Sequence, residues 1–369
     1  YMAEDDEGES YYYRGAVRNN YVSFAGFLWR IIRRNGDGSV RMIYSGKSVS
    51  DTGVATTIGV SKFNNKYWDP TYVGYKYNED FSLHKDNEIV KFSDFTSTKK
   101  YDYGTGYTFD ELTKKFTLTG DIKQLSWNDN HDEIVNSQLY SCLNTGCNVV
   151  YKVAGYGDNS ASQMIVQPIS YSSNSLLSAQ TNTTDSAIKT KLDNWYKENL
   201  TNYSSYLADR TFCNDRNIID GSGYLTTPIT HYGAFSRLQD NKTPSLKCSH
   251  ENDRFKVSST SAKLDYPIGL ISADEVALAG GRGNYNGSYS TNSNYYLYNG
   301  NWYWTFSPSS FSSNGSSGLV WSVMESGSLH PWYNVVNSIG VRPVINLKAD
   351  VTIIKGDGSS LNPYKLSGN

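Results

Sequence analysis

The stretch from Tyr21 to Tyr44 (YVSFAGFLWRIIRRNGDGSVRMIY) decides the fold class. Residues 21–33 are rich in the aromatic and β-branched side chains that favour strands, and residues 40–44 resume that pattern. Between the two runs lies Asn-Gly-Asp-Gly at 35–38, residue types that tolerate positive φ. Two runs joined by such a turn are typical of a β-hairpin. The loop around Asp37 lacks the further carboxylates that calcium needs, so we interpret it as a turn.

The rest of the chain has the composition of an ordinary globular protein. Of its 369 residues 38% are hydrophobic, and 34 basic side chains against 36 acidic ones leave a net charge of -2. Such a balance lacks the broad basic field of a non-specific nucleic-acid binder, so we expect no nucleic-acid partner. No run of about 18 apolar residues occurs, and we expect no membrane span in this chain.

The pattern of short runs changes at about residue 77. Strand-like runs punctuated by Gly, Asn and Asp follow at Tyr107–Phe109, Lys115–Leu118, Leu139–Ser141, Val149–Val153 and Met164–Ile169. They predict a β-rich insertion. The predicted organisation is a polar, frayed leader (1–10), a discontinuous core (11–76 and 181–349), the insertion (77–180) and a C-terminal β-segment (350–369).

Few helices are expected. An apolar stripe at helical period (Ile188, Leu192, Trp195 and Tyr196) predicts one helix that Thr184 or Asp185 can cap. Residues 199–209 can add a shorter helix. Ser272 and Glu275 have the spacing of a capping box, and Gly280 follows where that helix should end. Strand candidates at 302–307, 319–324 and 339–347 complete an α+β class.

The four cysteines suit an oxidising compartment. Cys142 and Cys147 flank a Gly-Asn turn between strand-like runs, so we expect a local bridge between them, and then a second bridge between Cys213 and Cys248. Four reduced thiols are the alternative. Cys248 and His250 form a Cys-x-His pair without a second pair at zinc spacing, so no metal site and no cofactor is expected.

Two segments carry a resemblance to known families. The first is Tyr12–Val17 (YYRGAV) with Tyr21–Gly26 and Trp29–Arg33; the second is Tyr303-Trp304-Thr305, followed by Gly340–Ile345 (GVRPVI). Together they resemble a domain of unknown function that is common in surface and secreted proteins of Gram-positive gut bacteria. The second segment is also similar to the end of C-type-lectin-like and formylglycine-generating-enzyme-like domains.

The resemblance implies a compartment and a frame. It implies an extracellular or cell-surface protein with a C-type-lectin-like mixed core, in which Trp321 supplies a middle strand and Arg342 bridges strands or loops beneath the binding face. The oxidising enzymes of that superfold use a cysteine pair near the C-terminus, whereas this chain has no cysteine after Cys248.

The candidate binding residues lie in the last third of the chain, which is rich in Tyr, Asn, Ser and Gly, the residues that binding loops favour. Exposed aromatic side chains stack on sugars or anchor protein partners, and polar neighbours orient the ligand. We expect loops 307–318 and 325–337 to bind. The candidate residues are Phe311, Glu325, His330, Trp332, Tyr333 and Asn334, with Tyr295 and Tyr298.

The predicted function is an extracellular binding module or adhesin that recognises a glycan or a host or bacterial surface protein. A structural subunit of a cell-surface layer or filament, which would self-associate, is the second interpretation. A glycan hydrolase is the third, with Asp132–Glu133, Asp209–Asp215 or Asp274–Glu275 as carboxylate pairs. No catalytic motif is recognised, so we expect no enzyme.

Overall fold

The computed structural model of the chain describes residues 1–67, 69–78, 179–219, 229–283, 291–312 and 317–367, and the backbone of the strands between residues 88 and 170. The chain divides into two compact units. The first comprises Tyr1–Tyr67, Thr71–Asn78 and Ala179–Asn369, and the second comprises Trp68–Pro70 and Glu79–Ser178. Strands outnumber helices in the part that is described, which is consistent with the predicted α+β class.

Elements are numbered in chain order over the described residues. The strands are β1 (Met2–Asp5), β2 (Gly8–Tyr12), β3 (Tyr21–Phe24), β4 (Phe27–Arg34), β5 (Val40–Tyr44), β6 (Val60–Ser61), β7 (Lys76–Tyr77), β8 (Glu88–Lys91), β9 (Tyr107–Asp110), β10 (Lys115–Leu118), β11 (Gln138–Leu143), β12 (Gly146–Gly155), β13 (Gln163–Ser170), β14 (Thr184–Asp185), β15 (Phe212–Cys213), β16 (Ile229–His231), β17 (Arg254–Phe255), β18 (Tyr303–Ser312), β19 (Ser317–Val323), β20 (Leu329–Asn334), β21 (Ile339–Gly340), β22 (Val344–Leu347), β23 (Ile353–Lys355) and β24 (Tyr364–Leu366). The α-helices are α1 (Ala187–Asn199), α2 (Gly233–Phe235), which continues as a π-helical turn at Ser236–Asn241, and α3 (Ala273–Ala279). Short 3-10 helices lie at Gly53–Thr56, Pro70–Val73, Thr201–Tyr206 and Glu251–Asp253.

The quoted stretch forms two consecutive hairpins. β3 and β4 pair around Ala25 and Gly26, whose φ angles are 53° and 78°. Two successive positive φ angles make a tight turn that matches the twist of the flanking strands. β4 then pairs with β5, which confirms the predicted hairpin. The interpretation of residues 21–33 as one continuous strand-like run is wrong. The turn at Ala25 and Gly26 has only two residues and neither is polar, so the sequence shows no loop there.

The first sheet grows outward from these hairpins. In the described part of the chain it contains eight strands, in the order β1-β2-β4-β3-β24-β23, with β5 pairing β4 and β22 pairing β5. The prediction of a frayed leader at 1–10 is wrong, because β1 and β2 form a hairpin that joins β4. The Asp5 carboxylate accepts hydrogen bonds from the Arg33 guanidinium (2.7 Å) and the Gly36 amide (2.9 Å). Buried charge pairing holds this polar segment, and hydrophobic periodicity cannot reveal it.

The second sheet holds the C-terminal strand candidates. Among the described residues it contains six strands, in the order β20-β19-β18-β21-β6, with β16 pairing β18. Trp304 and Trp321 are fully buried in it, beside Tyr303 and Thr305, which are equally buried. β18 is thus covered on both faces.

The predicted loops of this sheet are largely strand. β18 continues to Ser312 and β19 begins at Ser317, so most of residues 307–318 belong to paired strands. Residues 329–334 form β20, inside the predicted loop 325–337. Pro331 is compatible with this position, because β20 is the last strand on its side of the described sheet and proline is tolerated in edge strands.

The helices follow the predicted pattern with one correction. Ser186 caps α1 by accepting a hydrogen bond from the Lys189 amide, so the prediction of Thr184 or Asp185 as N-cap is wrong. Both of those residues belong to β14 instead. Ser272 and Glu275 form the predicted capping box of α3, and Gly280 ends that helix with a φ of 117°. Glycine adopts this left-handed conformation without a steric penalty.

In the second unit, the described strands lie in the order β8-β13-β12-β11-β10-β9. All five predicted strand-like runs fall within strands of this sheet, which confirms the prediction that this part of the chain is β-rich. The backbone register of β11 and β12 places Cys142 opposite Cys147. The side chains of these two cysteines lie outside what the structure describes, as do Asp132 and Glu133, so the predicted local bridge stays a prediction.

The second predicted bridge is confirmed. Cys213 and Cys248 form a disulfide with a Cα–Cα distance of 5.6 Å across a sequence separation of 35. It joins β15 to the segment before β17, and β15 also pairs directly with β17. Cys248 is buried.

Candidate functional site

An exposed aromatic cluster lies where β20 meets α2. The Trp332 cluster consists of Trp332, Phe235 and His231. The Phe235 ring centroid lies 5.2 Å from that of Trp332 and 4.0 Å from that of His231, with which it stacks. Trp332 is 44% exposed, while Phe235 is buried beneath it. β20 supplies the tryptophan, and β16 with the short helix α2 supplies the rings that support it.

A second aromatic group involves other residues of the same strand. Tyr333 stacks on Trp302 with ring centroids 4.7 Å apart, and His330 makes an edge contact with each of them. Burial lowers the pKa of His330, and its Nδ1 atom has no hydrogen-bond partner. His330 is therefore neutral at pH 7. β20 thus distributes the predicted residues His330, Trp332 and Tyr333 between two aromatic groups.

The other candidate residues have different surroundings. Phe311 and Tyr295 are each only 3% exposed and pack in the core, so the prediction that they are exposed aromatic residues is wrong. Both sit in segments that look like polar loops in sequence but pack beneath neighbouring elements. The Asn334 side chain donates a hydrogen bond to Ser317 Oγ and accepts one from the Val336 amide. Its amide group is therefore engaged within the protein.

Two further predicted residues are accessible, besides Trp332. Glu325 is exposed in the turn between β19 and β20. Tyr298 is 36% exposed and lies on a different part of the first unit, where it lines a groove.

One groove formed by the described residues was not predicted. This tyrosine groove has a volume of about 490 Å³ and is lined by Tyr1, Tyr11, Tyr12, Tyr13, Arg14, Val17, Ile31, Arg34 and Val40. A second groove of about 350 Å³, the adjoining groove, is lined by Ala16, Val17, Arg18, Tyr21, Arg30, Ser293, Tyr295, Tyr296, Tyr298 and Ser360. Val17 lines both. The sequence contains one signal for this groove, the run Tyr11-Tyr12-Tyr13-Arg14. One face of a strand cannot bury three consecutive aromatic side chains, so some of them must lie at the surface.

An ionic cluster connects β4, β5 and α3 under the first sheet. Glu275 Oε1 lies 3.0 Å from Arg33 Nε and 2.6 Å from Arg41 Nε, and all three side chains are buried. Burial opposes ionisation of Glu275, but the two guanidiniums overcome this effect, so its pKa is lowered. Burial lowers the pKa of Arg41 to about 10.

The carboxylates near this cluster are all engaged. Asp274 accepts two hydrogen bonds from Arg237, whose guanidinium also binds Asp215. Burial raises the pKa of Asp274. Asp209 accepts from the amides of Val257 and Ser258. The cavity beside the cluster measures about 40 Å³, which holds roughly two or three water molecules. The arrangement is that of a structural network.

Three carboxylates that could hold a cation already surround one. Asp185, Asp193 and Asp265 place oxygens within 4.8 Å of one another. The Lys189 ammonium lies among them at 3.0, 2.5 and 2.6 Å respectively. Burial would lower the pKa of Lys189, but the three carboxylates raise it instead. The lysine thus occupies the position that a metal ion would take.

Arg342 bridges a strand and a loop of the first unit. Its guanidinium donates to the carbonyls of Tyr44 (3.2 Å) and Leu297 (2.9 Å) and lies over the Tyr303 ring. It therefore joins the end of β5 to the loop before β18. No ligand role follows from this geometry, since the side chain is buried.

Comparison of the chain with protein-family models, with curated proteins and with solved structures finds no match. Among the described helices, none has the length and apolar character needed to cross a bilayer. The fold and the site therefore define a class of protein. It is a strand-rich α+β protein with a disulfide and with aromatic side chains on its surface.

Proposed function

We propose that the chain is an extracellular binding module of a bacterial cell surface, an adhesin that recognises a glycan and carries out no catalysis. The exposed Trp332, supported from below by Phe235 and flanked by His231, carries this proposal. The frame we propose for it is the C-type-lectin-like core with a β-rich insertion.

The chemistry of the Trp332 cluster suits a neutral sugar. The C–H face of a pyranose packs on an indole ring, and a rigid, half-exposed ring loses little entropy when it does so. Burial lowers the pKa of His231, although Asp240 opposes the shift, so the imidazole is neutral at pH 7. A neutral imidazole can donate one hydrogen bond to a sugar hydroxyl and accept another.

An array of glycans and extracellular-matrix proteins tests this proposal. We expect binding to a confined set of glycans, weakened at least tenfold by Trp332→Ala because the stacking surface is removed. Val54→Ala is the matched control, since Val54 is an exposed apolar residue elsewhere in the first unit. An array without glycan signals, or equal binding by wild type and Trp332→Ala, would refute the assignment.

One observation favours a structural subunit as a second candidate. β23 ends the described path of the first sheet, and its residues Ile353 and Ile354 are 52% and 64% exposed. An apolar edge strand is a template for pairing with another chain. Negative-stain microscopy of concentrated protein would then show assemblies, and Ile354→Lys would abolish them. A monodisperse monomer under the same conditions excludes this candidate.

A further inference from the structure

We infer that the tyrosine groove and the adjoining groove together bind an anionic polysaccharide, at a site separate from the Trp332 cluster. Val17 lines both grooves, so they flank one segment of chain, Tyr11–Arg18. Their volumes of about 490 and 350 Å³ each lie in the range of ligand sites. Two linked sites of this size suit several consecutive residues of a linear polymer.

The strand register explains the composition of the tyrosine groove. Tyr11 pairs with Arg34, and Arg34 pairs with Val40, so the three side chains lie side by side across β2, β4 and β5. Tyr11 is 48% exposed, and Tyr1 stacks on Tyr12 with ring centroids 5.7 Å apart. The walls are therefore flat aromatic faces, which pack on the apolar faces of sugar rings.

The charge of both grooves has one sign. The lining includes four arginines and no aspartate or glutamate: Arg14, Arg18, Arg30 and Arg34. This contrasts with a chain whose net charge is -2. This local excess of positive charge is complementary to an anionic ligand. Arginine also makes bidentate hydrogen bonds with acidic groups.

The four arginines differ in how free they are. Arg14 donates to the carbonyl of Leu278, and Arg30 donates to Asn20, Tyr21 and the carbonyl of Val17. Neutral partners leave their positive charge uncompensated. Arg18 and Arg34 are exposed at the surface, so these two can bind acidic groups directly.

A saccharide fits better than a nucleic acid. The hairpin beside the tyrosine groove carries Glu9, whose carboxylate accepts a hydrogen bond from the Tyr11 hydroxyl. Glu4 lies on the same hairpin. These carboxylates disfavour a backbone with a phosphate at every residue, whereas a polysaccharide can space its acidic groups more widely.

Binding to three polymers with one backbone tests the inference: dextran, carboxymethyl-dextran and dextran sulfate. We expect wild type to bind the anionic polymers, less tightly as salt increases, and not to bind dextran. The better of the two anionic polymers identifies the acidic group. The double variant Arg18→Gln/Arg34→Gln should bind at least roughly tenfold more weakly, because two charge-assisted contacts are lost.

The control removes the same charge elsewhere. Lys62 and Lys263 are exposed and line neither groove, so Lys62→Gln/Lys263→Gln should bind like wild type. Equal weakening in the control, equal binding of dextran, tighter binding of single-stranded DNA than of any polysaccharide, or no binding at all would overturn the inference. Trp332→Ala should leave binding of the anionic polymers unchanged, which separates this site from the proposed function.

Discussion

Replacing Glu275 with glutamine tests whether the buried ionic cluster holds the first sheet to α3. The substitution keeps the size of the side chain and removes its charge. Glu275 Oε1 lies 2.6 Å from Arg41 Nε and 3.0 Å from Arg33 Nε, and Oε2 accepts from the Ser272 amide at 2.9 Å. Glutamine offers only one acceptor, so either the guanidiniums or the capping box loses its partner.

The expected loss follows from the burial of these groups. Arg33 keeps Asp5 at 2.7 Å, whereas Glu275 is the carboxylate that lies within salt-bridge distance of Arg41 among the described residues. Removing one partner of a buried ion pair costs about 3–5 kcal/mol, because the remaining charge is uncompensated. We therefore expect the free energy of unfolding to fall by about 4 kcal/mol.

Denaturant titration of the oxidised protein, followed by tryptophan fluorescence, measures this change. Trp29, Trp304 and Trp321 are fully buried in the first unit and report its unfolding. Glu198→Gln in α1 is the control, since Glu198 is exposed and its substitution should change stability by less than about 0.5 kcal/mol. If Glu275→Gln destabilised the protein no more than this control, the assignment of a stabilising ionic cluster would be refuted.

Four further predictions concern other parts of the first unit and its response to acid. Reducing the Cys213–Cys248 disulfide should lower stability by about 3–4 kcal/mol, because it closes a loop of 35 residues in the unfolded chain; an unchanged unfolding midpoint in reductant would contradict this. Ala25→Gly should raise stability by about 0.5–1 kcal/mol by relieving a φ of 53°, and a lower midpoint would show that no strain exists there. Lys189→Met should destabilise by about 3 kcal/mol and create a site at which millimolar Ca²⁺ raises the melting temperature, while wild type should not respond; absence of any Ca²⁺ effect in the variant would count against the geometry. The pKa of Glu275 is lowered on folding from 4.5, so its contribution is present above pH 4.5 and is lost as pH falls through the folded pKa; acid titration of wild type and Glu275→Gln should therefore converge below pH 4.5, and parallel curves would contradict the linkage.

Local patterns predicted the elements whose residues interact with near neighbours. The hairpin of β4 and β5, the capping box at Ser272 and the strands of the second unit all depend on turn residues or periodicity within about ten positions. The disulfide between Cys213 and Cys248 was also predicted, since an even number of cysteines leaves few pairings.

The candidate site was predicted only in part. Trp332 is exposed within an aromatic cluster, but Tyr295 and Phe311 are buried, although all three stand among similar polar residues in sequence. Exposure depends on which element covers a residue. Phe311 lies in β18, between β16 and β19, and sequence proximity does not show this pairing.

By itself, the sequence determined the strand-rich class, the turn at 35–38, the capping box of α3 and the disulfide, because these depend on local backbone chemistry and on cysteine number. Only the tertiary structure decided that residues 1–12 form a hairpin, that Lys189 fills an acidic triad and that four arginines line grooves with tyrosines. The Arg33–Glu275 ion pair likewise joins residues that are far apart in sequence. Charges and rings at such separations meet only when the packed sheets bring them together, and no local pattern encodes that contact.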